Sequence, residues 1–226
     1  MNNFIDIIAA PNQVFERLKQ KPSWFIPWLV IALLAVTVQL GFYNLIDPGY
    51  LLDQLVEQRM DSGIPESELR NAMQGITENT TPLIVSSSVA VFVGLLLIYA
   101  ISAVYLFLVS KFSDTSITYR QWLSLVSWCN VPAIFTVLAA WLAILSSGRL
   151  IEIEAMNPLN LNYLLFQSEG DFAGMLSAIN LVTIWSVLLM IMGHRIFTAS
   201  TYLKSATVVL TPYVLILLVW TLIILR

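Results

Sequence analysis

Charged side chains along this 226-residue chain fall in clusters, and five long stretches between the clusters carry none: residues 22–46, 79–110, 121–148, 172–194 and 205–225. These stretches hold 25, 32, 28, 23 and 21 residues. A bilayer core roughly 30 Å thick is crossed by about 20 mostly apolar helical residues, so each stretch is long enough to span. The pattern predicts membrane spans over about 24–45, 83–109, 123–145, 174–192 and 206–225. The second, at 27 residues, would be roughly 40 Å long at the helical rise and must tilt or protrude.

The connections carry helical periodicity of their own. Pro11 suits a first helical turn, and Val14, Phe15 and Leu18 share a face from which Glu16, Arg17 and Lys19 are absent. An interfacial amphipathic helix over 11–21 is expected, lying on an anionic leaflet or anchoring the first span. Pro22 and Pro27 then bracket Trp24 and Trp28, a proline-stiffened aromatic belt. The first outer loop, 46–82, predicts two short helices, Pro48 to Met60 and Pro65 to Ile76, broken at Asp61-Ser62-Gly63. In the second outer loop, 146–173, Asn157-Pro158 is expected to start the apolar stretch Leu159–Phe166 as a surface or re-entrant helix, too short to cross. The fold class is therefore all-α and polytopic: five transmembrane helices plus short amphipathic helices at the N-terminus and in the outer loops, in one membrane domain over 1–226.

Composition sharpens this. Hydrophobic residues make up 58% of the chain and charged residues 11%, against about 25% charged in a soluble domain. An ordinary soluble enzyme is excluded. The 97 residues outside the windows are split among six pieces, none large enough for a soluble catalytic or nucleotide-binding module. A net charge of −3 gives no reason to expect a nucleic-acid partner. Cys129, the sole cysteine, leaves no internal disulfide or cysteine-built metal site and reads as a buried thiol. The first residues do not read as a cleavable signal peptide, because Asp6 interrupts the run from Phe4 to Ala10 and no basic region precedes it.

Sidedness follows from lysine and arginine in the connections. One side carries Arg17, Lys19, Lys21, Lys111, Arg120, Arg195 and Lys204 against three acids; the other carries four arginines against eleven acids. The N-terminus is expected in the cytoplasm and the C-terminus outside, in a bacterial inner membrane.

No window holds an ionisable carboxylate, lysine or arginine, which counts against proton relays, ion-coupled pumps and voltage sensing. The candidate intramembrane polar contacts are neutral: Gln39, Asn44, Asn130 and Asn180, either glue between helices or substrate contacts. Pro132 and Pro212 are candidate helix breaks, and Thr118-Tyr119 and Thr201-Tyr202 precede them as a faint internal echo. Arg17, Lys19, His194 and Arg195 are expected at the cytoplasmic interface. With one histidine, no metal site can be built from imidazoles, and no serine has an evident histidine at hand. Asp53, Glu57, Asp61, Glu66 and Glu68 read as a solvated face rather than a metal cluster. No catalytic residue, cofactor-binding residue, cofactor or metal is expected. Small residues four apart, Ala90/Gly94, Ala139/Ala143 and Gly174/Ala178, would allow close helix contact, inside the bundle or between copies.

Local texture adds a resemblance. Pro11-x-x-x-Phe15 followed by Pro22, Trp24 and Pro27, then Thr118-Tyr119-Arg120-Gln121 leading to Pro132, then Ile179-Asn180-Leu181 with Ile184-Trp185 and Gly193, together resemble the Yip family of five-span membrane proteins, named after Ypt/Rab-interacting proteins, in its prokaryotic branch. The resemblance covers nearly the whole chain. It implies a membrane-resident integral protein whose eukaryotic relatives bind Rab-type GTPases and one another in vesicle traffic. Those relatives bring a long cytoplasmic N-terminal region where this chain offers about 22 residues before the first span, so the resemblance implies a fold and a location more than GTPase binding.

Two functions are consistent with this reading. The leading one is a non-enzymatic integral membrane protein whose partners are the lipid bilayer and, through helix-mediated association, a second copy (a homo-oligomer) or another membrane protein. The alternative is a transporter or channel for a small solute, lipid or cation. Gln39, Asn44, Asn130 and Asn180 would then line a path near Pro132, below an acid-rich mouth that concentrates cations.

Overall fold

A computed structural model describes residues 3–60, 63–112, 116–168 and 170–225. Five stretches are long and apolar enough to cross a membrane: Phe25–Leu45, Thr81–Lys111, Tyr119–Ser146, Leu181–Thr198 and Tyr202–Ile224. The chain is an all-α polytopic membrane protein. Among the described residues the helices are α1 (Asn3–Ala9), α2 (Pro11–Gln20), α3 (Phe25–Leu45), α4 (Pro48–Glu57), α5 (Glu66–Glu78), α6 (Thr81–Lys111), α7 (Tyr119–Cys129), α8 (Ala133–Ser146), α9 (Asp171–Ala178), α10 (Leu181–Thr198) and α11 (Tyr202–Ile224).

Caps explain most of the boundaries. Asp47 accepts from the backbone of Gly49 and Tyr50 and Pro48 opens α4. Thr118 and Gln121 form a reciprocal capping box that starts α7. Gly63, at φ 74°, lies in the break between α4 and α5, while Asp61 and Ser62 lie outside the described residues.

Three expectations need correction. The fourth span begins at Leu181, not near 174, because Asn180 caps it by accepting from the Val182 N–H at 2.7 Å and Asp171–Ala178 forms a separate short helix. Asn157 starts no helix; it closes a 3₁₀ turn over Ile153–Met156. The cap belongs to Asn160, whose side chain accepts from the Tyr163 N–H at 2.8 Å and opens a wide π-type turn over Asn162–Phe166. The amphipathic α2 also departs from an interfacial helix: Val14, Phe15 and Leu18 are fully buried in protein, packed towards α7 and α10.

The chain divides into two compact units, with three of the four divisions falling inside α3, α6 and α8. One comprises residues 1–31, 95–135 and 159–226, the other residues 32–94 and 136–158.

In the first unit α2 is bolted to its neighbours by polar contacts. Arg17 pairs with Asp6 at 2.6 Å. The Lys19 ammonium donates to the Ile196 carbonyl at 3.2 Å, a cation on the last turn of α10 where the helix dipole favours one. Gln121 donates to the Lys19 carbonyl at 2.6 Å, and Ser23 exchanges hydrogen bonds with Ser124 while its carbonyl accepts from the Trp128 indole at 2.7 Å. Gly193 is required here: a Cβ would collide with the Leu125 side chain and lie 3.3 Å from Phe15.

The second unit has an apolar core of Val38, Phe42, Ile46, Leu51, Val137, Ala140, Ile144 and Ile151. Gly41 lets the Trp141 ring lie where a Cβ would be 2.5 Å away, and the Trp141 indole donates to Thr37 at 3.0 Å. Gln54 clamps the 146–158 segment, donating to the Ile151 carbonyl at 3.0 Å and accepting from the Ile153 N–H at 2.8 Å. Beyond this core, Arg70 bonds Asp53 at 2.7 Å and Glu66 at 3.2 Å. Those hydrogen bonds hold its guanidinium above the ordinary arginine value.

Candidate functional site: a hydroxyl network at the α10–α11 turn

The turn between α10 and α11 is tight because Ala199 adopts a left-handed backbone, φ 51°. Thr201 then caps α11, accepting from the Lys204 N–H at 3.3 Å. This folds the first turn of α11 back on the end of α10. Ser205 Oγ comes within 3.0 Å of His194 Nδ1, so the expectation that no serine has a histidine at hand is overturned. The signal was not local, since the partners stand 11 residues apart on either side of the turn.

The network continues outward. Ser200 Oγ lies 2.8 Å from Ser205 Oγ, and the Thr198 hydroxyl reaches the His194 carbonyl at 2.8 Å and Ser200 at 2.9 Å. On its other side the imidazole stacks on Trp122 with ring centroids 5.5 Å apart, and the Trp122 indole donates to Ser110 at 3.3 Å. Ser205 and Trp122 are 0% exposed and His194 is 3% exposed. Ser205 is closed to solvent, and its hydroxyl links the imidazole of His194 to Ser200.

A cavity of about 280 Å³ opens beside this network, lined by Ser110, His194, Thr198, Ser200, Thr201 and Lys204 among others. The neighbouring Arg195 guanidinium lies over the Tyr202 ring, 4.4 Å from its centroid.

Of the four residues expected at the cytoplasmic interface, Lys19 of α2 reaches the last turn of α10, where Arg195 lies over Tyr202 and His194 bonds Ser205; Arg17 pairs with Asp6. Three of the four candidate amides bond their own helices. Asn44 donates to the Leu40 carbonyl at 2.7 Å, Asn130 to the Val126 carbonyl at 2.8 Å, and Asn180 is the cap of α10. Gln39 is half-buried. Gln39 and Asn44 belong to one unit and Asn130 and Asn180 to the other.

The two prolines differ. Pro132 lies in the turn that separates α7 from α8, where bonds shorten to i→i+3 between Asn130 and Phe135. Pro212 sits inside an unbroken α11. A proline cannot donate to the carbonyl four residues earlier, here Val208, and the Tyr105 hydroxyl of α6 supplies that bond at 2.8 Å. Sequence reading missed Tyr105, since nothing near Pro212 announces the donor.

Five spans with capped ends and a buried polar network define an integral helical membrane protein. Residues 5–224 match the description of the Yip1 domain family, nearly the whole chain, and the protein belongs to that family. No curated protein and no solved structure matches the chain.

Proposed function

We propose that this protein is a non-enzymatic organiser of its membrane, a single membrane domain that acts by helix-mediated self-association through α6. The observation that carries this is the small-residue face of that helix. Ser86 and Ala90 are exposed, and a Cβ on Gly94 would meet nothing within 4 Å. The three residues recur every four positions and share one stripe. The other small pairs are used internally: Gly174 has the Trp220 ring 3.6 Å from its Cβ position, and Ala143 packs on the apolar core. In lipid, helices associate by close backbone approach at such small residues rather than by hydrophobic burial. Only 17% of the α6 span window is buried, so its open face is available.

The seven basic residues on the side of the N-terminus support a cytoplasmic N-terminus in a bacterial inner membrane. In a Cys129→Ser background, Gly94→Cys is expected to form disulfide-linked dimers in native membranes, while Val104→Cys on the same helix stays monomeric. Equal yields at both positions, or monomer only at both, would overturn the association reading.

A further inference from the structure

The cavity beside His194 does not stand alone. On the same three helices an apolar groove of about 400 Å³ follows it, lined by Ile101, Tyr105, Leu106, Met190, Pro212 and Ile216 among others. Adjacent residues of α11 line the two, Val208 the polar cavity and Val209 the groove. Tyr105, whose ring lines the groove, marks the junction by its bond to the Val208 carbonyl. From Lys204 to Ile216 are 12 residues of continuous α11, about 18 Å at helical rise. That is close to one leaflet, half of a hydrocarbon core roughly 30 Å thick.

We propose that the polar cavity and the apolar groove together are a binding site for one anionic glycerophospholipid, phosphate at the cavity and acyl chain along the groove. The cavity offers the Lys204 ammonium and the hydroxyls of Thr198, Ser200 and Thr201, and its described lining contains no carboxylate. Arg195, fixed over Tyr202, adds a second positive charge at the same turn. The buried network sets the polarity of the site. When His194 Nδ1–H donates to Ser205, Ser205 donates to Ser200, and the Ser200 proton can turn from the Thr198 oxygen to a ligand oxygen. Hydrogen bonds to an ionised acceptor are the strong class, so an anion is the acceptor this cluster of donors favours most. The groove carries the second half of the recognition, because its lining is apolar and a free anion would make no use of it.

Native mass spectrometry of the purified full chain tests this, using dioleoylphosphatidylglycerol, dioleoylphosphatidylcholine, dioleoylglycerol and inorganic phosphate as probes. One molecule of phosphatidylglycerol is expected to be retained about tenfold more strongly than phosphatidylcholine or dioleoylglycerol. Lys204→Gln should abolish that preference, and Ser102→Phe, which fills the groove from α6, should weaken retention of phosphatidylglycerol without creating a preference for another headgroup. Lys21→Gln, a cation on an exposed segment away from the cavity, should change neither. Equal retention of the three lipids would overturn the proposal, as would a preference unaffected by Lys204→Gln. Binding of inorganic phosphate as strong as that of phosphatidylglycerol would make the cavity an anion site with no lipid, and would overturn it too.

Discussion

In the unit formed by residues 1–31, 95–135 and 159–226, eight polar side chains are buried among the described residues: Ser110, Ser124, Ser127, Asn160, Asn180, Ser186, His194 and Ser205. In the unit formed by residues 32–94 and 136–158, among the described residues, one is: Thr77. The second unit is built like a small soluble core, aliphatic inside, with amides and carboxylates tying its connections at the surface. The first unit is tied from within. Buried hydroxyls give directional bonds, which choose one arrangement of helices among many that apolar packing alone would tolerate. The cavity and the lipid groove both lie in the directional unit, as a site needing fixed donors requires.

The largest expected effect tests whether the interior of the first unit is truly shared. Trp122 stacks on His194, touches Phe197 and donates to Ser110, so Trp122→Ala leaves a cavity and an orphaned network. A loss of about 3–5 kcal/mol is expected, read by thermal unfolding in detergent. A loss no larger than that of an exposed aromatic would break the comparison. Next, Gln54→Leu in the second unit removes both bonds to the 146–158 segment. It should cost about 1–3 kcal/mol and raise amide hydrogen exchange at Ile151 to Ala155 while leaving α10 protected. Exchange rising equally in α10 would show that the two units do not respond separately.

The smallest effect is the most specific. Tyr105→Phe strands the Val208 carbonyl, at a cost of about 0.6–2 kcal/mol, the scale of polar bonds between membrane helices. In a Pro212→Ala background the alanine N–H takes that carbonyl instead, so Tyr105→Phe should cost almost nothing there. An equal cost in both backgrounds in the double-mutant cycle would separate the tyrosine from the proline.

The contrast also explains what was legible beforehand. Empty charge windows located every span because the cost of burying charge in lipid acts on each residue alone. The first span was placed to within one residue at its start and the second to within two at each end. Charge counting misplaced the start of the fourth span, since Asp171–Ala178 is apolar yet forms a separate helix; the Asn180 cap was the available signal. Pro132 and Pro212 looked alike in sequence and behave differently because the donor that rescues one of them lies 107 positions away on α6. The four interface residues were grouped by being basic or histidine near span ends. Their contacts come from other parts of the chain: Lys19 on the Ile196 carbonyl from another helix, and His194 against Ser205 across a turn set by a left-handed alanine that no periodicity announces.

The Tyr105–Val208 bond also bears on how the protein is made. A helix carrying an unmet carbonyl in hydrocarbon is penalised until something donates to it. Before docking, α11 is therefore a poorer occupant of the bilayer than its hydropathy suggests, and α6, made earlier in the chain, holds the missing donor. The Tyr105 hydroxyl meets that carbonyl from α6, so this bond ties one side of α11 to that helix. Pro212 thereby makes the hydrogen bonding of α11 depend on its neighbour rather than on the helix alone.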